Sequence, residues 1–370
     1  MPTKKLIIIL IIIIILAVGG YFVYSRYFKT APSATNNAYT PGPSSPQKFF
    51  PLSKEKVMAA TIDGSGKKVK YYSLANGNIY EANFDGSGLA KISTANLAGV
   101  LNLLWSPDKN EVIGFFQEGD KIKKYLHDYQ AGQSTTLNDQ IDQAVWSPDN
   151  KKIATVSFDS ASGNSSISLA NADGSDLKSI FQTRLKDLVL EWPTIDKISV
   201  KTPASGLSDG LVFTINPTNG SFTKVLNGLY GLNIKWSPLG DKIIYSNTDQ
   251  SGKNIFLSIA DQSGQNRTGL GISTLVEKCV FSQNDRSLFC AVPQTLSANA
   301  VWPDDYYKGL VATKDIFYKI NLENGQKDQI FDPSSIDKSI DATDLFLSPQ
   351  EDYLFFTNKR DGMLYGLKLE

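Results

Sequence analysis

Short apolar runs, rich in β-branched and aromatic residues, recur along this chain at nearly constant intervals, each after a tight polar turn. The clearest turn is Trp-Ser-Pro-Asp at 146–149, followed by Lys-Lys-Ile at 151–153. Ser147 and Asp149 can bond nearby backbone amides, and Pro148 supplies the φ angle that a type I turn needs. The pattern therefore predicts two antiparallel strands joined at this turn.

The same turn motif recurs in seven copies. We call the residue directly before each turn, such as Trp146, the anchor residue. The anchors stand at positions 62, 105, 146, 191, 236, 281 and 347, and five of the six intervals measure 41–45 residues. The residue seven positions after each anchor is apolar, which keeps the register even in diverged copies: Val69, Val112, Ile153, Ile198, Ile243, Leu288 and Leu354. A period of this length indicates a repeat architecture.

Each repeat contains signals for four strands. In the third repeat, two runs of β-branched and aliphatic residues follow the anchor turn, at 152–158 and 166–170. A glycine turn at Asp173 and Gly174 then precedes a third run at 177–181. Such glycine turns are typical of hairpins. Seven repeats of four antiparallel strands predict an all-β, seven-bladed β-propeller over residues 47–370. The last repeat lacks a fourth strand, and we expect residues 47–50 to supply it and close the ring.

An apolar N-terminal segment precedes the repeats. Residues 1–5 are a short polar start, and residues 6–24 are long and apolar enough to predict one transmembrane helix. Residues 25–46 are rich in Pro, Ser and Asn and predict a linker. These features predict a single-pass membrane protein with an uncleaved signal-anchor and its C-terminal propeller outside the cytoplasm.

Composition limits the kinds of partner and active site that this chain is expected to have. Lys+Arg and Asp+Glu both number 37, so bulk charge gives no reason to expect a nucleic-acid partner. His127 is the single histidine and is expected on a surface strand, which argues against a Ser-His-Asp triad or a multi-histidine zinc site. Matching Phe281 with Leu288 places Cys279 opposite Cys290. These two cysteines either form a cross-strand disulfide or are two small buried thiols.

The Trp-Ser-Pro-Asp turns at 105–108 and 146–149 and the Asp-Gly-Ser turn at 173–175 resemble the WD40-like repeats of TolB-type propellers. Related repeats form the propellers of prolyl-oligopeptidase-family enzymes. The resemblance covers about residues 54–369 and implies an extracytoplasmic protein that works by binding other proteins. The motif residues are structural in that family. The one Gly-x-Ser-x-Gly string, at 206–210, lies inside the fourth repeat, where no strand-to-helix turn is predicted, so the resemblance brings no hydrolase machinery.

One loop stands out as a candidate site. The glycine turn of the sixth repeat comes about 16 residues later than that of the third, which places an insertion around 293–314. Its aromatic and acidic residues suit a recognition surface, although the loop could instead fold back and bury its tryptophan. The candidate partner-binding residues are Trp302, Asp304, Asp305, Tyr306 and Tyr307. Glu191, at an anchor position, either faces the central channel or marks a weakly constrained blade.

The sequence therefore predicts a membrane-anchored, extracytoplasmic propeller that acts as a protein-binding scaffold at the cell envelope. No catalytic residue, cofactor or metal site is predicted, and the expected partners are the membrane, through the N-terminal helix, and envelope proteins. The alternative is a receptor for a small ligand, carbohydrate or peptide, or an enzyme, with its site at the mouth of the central channel. Converging carboxylates at that mouth would favour the alternative.

Overall fold

The structure is a computed structural model that describes residues 48–336 and 338–369. A short α-helix, α1 (Asp304–Tyr307), and two 3₁₀ turns (Val276–Lys278 and Pro333–Ser335) accompany the strands. The strands are β1 (Phe49–Pro51), β2 (Val57–Ile62), β3 (Lys68–Ser73), β4 (Asn78–Asn83), β5 (Ala90–Thr94), β6 (Val100–Trp105), β7 (Glu111–Glu118), β8 (Lys121–Asp128), β9 (Gln133–Thr136), β10 (Gln143–Trp146), β11 (Lys152–Asp159), β12 (Asn164–Asn171), β13 (Lys178–Thr183), β14 (Val189–Thr194), β15 (Lys197–Lys201), β16 (Asp209–Ile215), β17 (Phe222–Trp236), β18 (Lys242–Thr248), β19 (Ile255–Asp261), β20 (Thr268–Gly269), β21 (Cys279–Phe281), β22 (Ser287–Pro293), β23 (Asp315–Asn321), β24 (Lys327–Phe331), β25 (Ala342–Leu347), β26 (Tyr353–Asn358) and β27 (Leu364–Lys368).

These strands form antiparallel blades that follow one another along the chain. Blades 1, 2, 3 and 6 are the four-stranded sheets β2–β5, β6–β9, β10–β13 and β21–β24. Blades 4 and 5 share one seven-stranded sheet, β14–β20, because β17 runs for 15 residues as the outer strand of blade 4 and then as the inner strand of blade 5. Blade 7 contains β25, β26 and β27 together with β1.

The N-terminal strand closes blade 7, as the missing fourth strand predicted. Phe49 pairs with Leu367 and Phe50 with Gly366, so β1 lies at the outer edge of the blade. Gly366 allows the close approach of Phe50, since a Cβ there would lie 2.6 Å from the Phe50 ring. The backbone then crosses to blade 1, and the Leu52 amide donates to the Leu364 carbonyl at 2.8 Å.

The anchor turns have the expected local chemistry. In blade 3 the Ser147 hydroxyl contacts Asp149 at 2.7 Å and accepts a hydrogen bond from the Lys152 amide at 2.9 Å. The Trp146 indole donates to the Leu104 carbonyl of blade 2 at 3.1 Å, so the anchor also ties neighbouring blades together. The core lies between blades, where apolar side chains of adjacent sheets pack against each other.

The fold-class prediction was wrong in one part, because it placed a transmembrane helix ahead of the propeller. Among the described residues, no helix is long and apolar enough to cross a membrane. The helical segments found there are α1 and the two 3₁₀ turns, of three or four residues each. Residues 6–24, on which that prediction rested, lie outside the described residues.

Candidate functional site

The insertion in blade 6 folds into a structured cap. Residues 294–314, here called the cap loop, connect β22 to β23 and contain α1. They build an apolar cluster in which Trp302 and Tyr306 are 1% and 2% exposed and pack with Ile255 of blade 5 and Leu275. The two rings stack at a centroid distance of 5.9 Å. Aromatic burial of this kind explains why a long loop is ordered.

Hydrogen bonds fix the cap loop to three other blades. The Gly206 amide of blade 4 donates to the Asp304 carboxylate at 2.7 Å. The Trp302 amide donates to the Gly252 carbonyl of blade 5 at 2.7 Å, and Lys359 of blade 7 donates to the Tyr306 carbonyl. Gly206 permits this docking because a Cβ there would lie 2.1 Å from the Trp302 carbonyl oxygen. The cap loop therefore bridges blades 4 to 7 on the face formed by the loops between strands two and three.

The structure divides the predicted partner-binding residues into two groups. Trp302 and Tyr306 face inward, which corrects the expectation that they form a recognition surface: the loop folds back and buries them. Asp304 and Asp305 hold the loop in shape, the latter by accepting from the Val301 amide at 2.8 Å. Tyr307 alone of the five is well exposed, at 44%, and its hydroxyl accepts from Asn233 at 3.0 Å.

Exposed apolar side chains lie on the cap loop and beside its contact with blade 4. Leu310 and Tyr307 of the cap loop are exposed at 70% and 44%, and Leu207, next to the docked Gly206, at 66%. We call these three side chains the cap patch. Most large apolar residues of this ring are buried, so exposed ones grouped on an ordered loop are candidates for contact with a partner.

Beneath the cap loop, a buried charged cluster joins blades 6 and 7. The Lys278 ammonium contacts Asp315 at 2.8 Å and Asp341 at 2.7 Å, and all three side chains are fully buried. Burial raises the pKa of Asp315 despite Lys278. At Asp341 burial also acts to raise the pKa, but Lys278 and hydrogen bonds from Thr313 outweigh it and hold the pKa below its usual value. The Tyr306 hydroxyl also donates a hydrogen bond to the Asp341 carboxylate in this cluster, at 2.9 Å.

A second set of charges surrounds the central channel at blades 4 to 7. Glu191, Lys235 and Asp344 belong to innermost strands, and Glu277 lies just before β21. Lys201 bonds Glu191 at 2.7 Å. We call these five residues the channel cluster. Glu191 thus favours the channel-facing alternative. It pairs with Ser199 and not with Ile198, a β-bulge follows it, and Trp192 packs against the core in its place.

Two members of the channel cluster are incompletely paired. Burial lowers the pKa of Lys235, although the negative charges of Asp344, Glu191 and Glu277 act to raise it. The Lys235 ammonium donates a hydrogen bond to the Cys279 carbonyl at 2.7 Å. Both Glu277 carboxylate oxygens are shielded from solvent and make no hydrogen bond of standard geometry. Burial raises the pKa of this group, although the nearby Tyr307 hydroxyl and the charge of Lys278 act to lower it. Buried polar groups in this state are typical of ligand sites.

Neither metal nor histidine chemistry is apparent in the described part of the chain. No group of three or more His, Cys, Asp and Glu side chains there could hold a metal ion. His127 lies on β8, where its Nδ1 is 2.9 Å from the Ser134 hydroxyl. Cys279 and Cys290 pair across β21 and β22, and the structure joins them in a fully buried disulfide.

Sequence reasoning missed the channel cluster and the buried charged cluster around Lys278. Their members come from several blades, and Lys278 lies 63 residues from Asp341 along the chain. A signal was nevertheless present: Glu191 stands at an anchor position whose counterparts in the other repeats are all apolar, and Lys235 directly precedes an anchor.

Solved structures identify the fold. A propeller domain of the trilobed protease from Pyrococcus furiosus aligns with a TM-score of 0.56 at 12% identity, covering 84% of this chain and 95% of that one. The Swd1 propeller domain of Myceliophteria thermophila aligns at 0.54 and 11% identity, covering 87% and 100%. The chain has the fold of a WD40-like β-propeller. This confirms, at the level of the fold, the resemblance that the repeats carry.

Other matches include an enzyme. An oligogalacturonate lyase in complex with manganese aligns with a TM-score of 0.62 at 13% identity, covering 87% of this chain and 93% of that one. TolB from Acinetobacter baumannii aligns at 0.47 and 17% identity, covering 73% and 62%. No family model matches the sequence, and a search of the curated proteins found no match. At these identities the solved structures establish the propeller fold and leave catalysis open.

Proposed function

We propose that this protein is an extracytoplasmic binding module that holds a protein partner on the cap patch and performs no catalysis. The observation that carries the proposal is the cap loop itself. It is anchored to three neighbouring blades and leaves Leu207, Tyr307 and Leu310 exposed on its outer side. A rigid loop presents apolar side chains without an ordering cost on binding.

The disulfide supports placement outside the cytoplasm. Cys279 and Cys290 are both fully buried and bridge the inner two strands of blade 6. Disulfides of this structural kind persist in oxidising compartments and are rare in the cytosol. The disulfide also stiffens the blade that carries the cap loop, which suits a surface used for recognition.

Cross-linking on intact cells, followed by identification of the captured proteins, tests this proposal. Leu310→Asp and Leu207→Asp should each reduce capture of a reproducible envelope protein at least tenfold, because a charge must then be desolvated at the contact. Leu239→Asp is the matched control, since Leu239 is 61% exposed in the anchor turn of blade 5. Unchanged capture with the two cap-patch variants, or equal loss with Leu239→Asp, would refute the cap patch as the contact.

The channel cluster favours a second candidate, a small ligand carrying both charges. Lys235 could bind its carboxylate, since its ammonium donates to the Cys279 carbonyl, and Glu277 with Asp344 could bind its amine, since the Glu277 oxygens make no hydrogen bond of standard geometry. A thermal-shift screen with amino acids and dipeptides tests this. A stabilising compound that loses its effect in both Lys235→Met and Glu277→Gln, while Leu310→Asp still responds, would favour the channel over the cap patch.

A further inference from the structure

A cavity bordered by several aromatic rings lies away from the cap loop, between blades 1 and 2. This groove has a volume of about 440 Å³, which falls in the usual range for small-molecule sites. Blade 1 contributes the segment from Thr94 to Ala98, and blade 2 contributes side chains from β7 and β8. Neither the repeat pattern nor the proposed partner contact requires it.

A glycine opens the groove. Gly114 stands two residues after Val112, the apolar residue that faces the anchor of blade 2. In the other six blades a buried side chain occupies this position and fills the space between blades: Tyr71, Thr155, Val200, Tyr245, Cys290 and Phe356. At Gly114 the Phe116 ring lies alongside the backbone instead, and a Cβ there would be 2.4 Å from that ring.

Aromatic rings form the walls. Phe116 and Tyr125 meet at a centroid distance of 5.9 Å with their planes inclined by 60°. His127 and Tyr129 form a second inclined pair at 4.4 Å. These side chains are half-buried rather than sealed into the core, so a ligand can reach their rings. Flat aromatic faces set at an angle accept a ring that carries C–H groups on its faces.

Fixed polar groups complete the lining. The Glu118 carboxylate accepts a hydrogen bond from the Tyr125 hydroxyl at 2.9 Å, and His127 is held by Ser134 at 2.9 Å. Asn96 lines the opposite, blade 1 side. The lining contains no lysine or arginine, which disfavours phosphate and carboxylate ligands.

We infer that this groove binds a neutral saccharide unit. The faces of a sugar ring would stack on Phe116 and Tyr125, while its hydroxyls bond Glu118, His127 and Asn96. A cationic ligand is less suited, because Lys70 already lies over Tyr129 at 5.3 Å and the remaining rings form two walls rather than a closed aromatic cage. The inference concerns a site separate from the proposed partner contact.

Saturation-transfer NMR with the full chain tests the inference, using maltotriose, cellotriose and chitotriose as probes. We expect at least one to bind with a dissociation constant in the millimolar range or tighter. Tyr125→Ala should weaken that binding at least tenfold, and Gly114→Val, which pushes the Phe116 ring into the groove, should do the same. Glu118→Gln, an exposed change that leaves the packing intact, should weaken it severalfold.

Tyr318→Ala is the matched control. Tyr318 pairs with Cys290 in blade 6 as Tyr125 pairs with Gly114 in blade 2, so it occupies the same place in a blade without the glycine. Unchanged binding in this variant, with loss in Tyr125→Ala and Glu118→Gln, supports the site. Absence of binding by all three saccharides, equal loss in Tyr318→Ala, or preferential binding of benzyltrimethylammonium would overturn the inference.

Discussion

Replacing Lys278 by methionine should destabilise the propeller strongly. Methionine keeps most of the length and the apolar stem of lysine but removes the ammonium group. Asp315 and Asp341, 2.8 and 2.7 Å from that ammonium, would remain fully buried without their counter-charge. The Thr313 hydroxyl and the Ala342 carbonyl, at 2.9 and 3.0 Å, would lose the same donor.

Breaking a buried ion pair by removing one partner costs about 3–5 kcal/mol. We expect a value near the lower end, about 3 kcal/mol, because one carboxylate can take up a proton instead of remaining charged. Asp315 is the group that would do so, since burial already raises its pKa. A loss of this size is a large part of the roughly 5–15 kcal/mol that stabilises a typical protein.

Urea unfolding at pH 7, followed by tryptophan fluorescence, measures the effect. Lys327→Met is the control, because Lys327 lies exposed on β24 of the same blade; its cost should stay within about 0.5 kcal/mol. The triple variant Lys278→Met, Asp315→Asn, Asp341→Asn removes all three charges and should recover part of the loss. A Lys278→Met cost below about 1 kcal/mol would refute the reasoning, since it would match a solvent-screened pair.

Three further predictions follow from the described contacts. Replacing Cys279 and Cys290 by alanine should lower the free energy of unfolding by about 3 kcal/mol, measured by urea unfolding without reductant, because the bridge joins residues 11 apart. Trp302→Ala should expose the cap loop to limited proteolysis within 294–314 while the ring stays folded, because the Trp302 contacts lie within the apolar cluster of that loop. Glu277→Gln should exceed the wild type in stability at pH 7. Burial raises the pKa of Glu277, so ionisation penalises the folded state above pH 4.5, and the difference should vanish below that value.

Each of these has a control and a contrary result. Reductant should abolish the difference between the wild type and the cysteine variant; a persistent difference would indicate lost packing instead. Tyr307→Ala should not increase cleavage of the cap loop, and global unfolding of Trp302→Ala would contradict a local role. Glu323→Gln, at an exposed carboxylate, should show no pH-dependent gain. A Glu277→Gln variant less stable than wild type at pH 7 would contradict an unpaired carboxylate.

The repeat register was predictable because it depends on local chemistry. A turn and the apolar residue opposite its anchor lie within seven residues of each other, and Trp146 pairs with Ile153 as expected. The order of blades and the closure by β1 follow from the same period. Blade 4 is the exception: a β-bulge between Glu191 and Thr194 shifts the register, so that Glu191 pairs with Ser199 and Trp192 packs against the core.

The candidate site was harder to predict because its contacts are long-range. The length of the cap loop and its position in blade 6 were readable from the delayed glycine turn. Its inward fold was not, because the groups that bury and bind it come from other blades: Asp304 bonds Gly206, 98 residues away. The same holds for the groove, although a glycine at a position otherwise filled by side chains is visible once the repeats are aligned.

The strand shared by blades 4 and 5 has a consequence for rearranging the chain. Elsewhere a surface loop separates the outer strand of one blade from the inner strand of the next, and new termini introduced at such loops are usually tolerated. At β17 the strand continues through Gly228 and Gly231, both at positive φ and both at irregularities of the ladder, with no loop between the blades. A circular permutant opened at 137–142 should therefore assemble, whereas one opened at 228–231 would split a continuous strand and separate two blades that form as one unit.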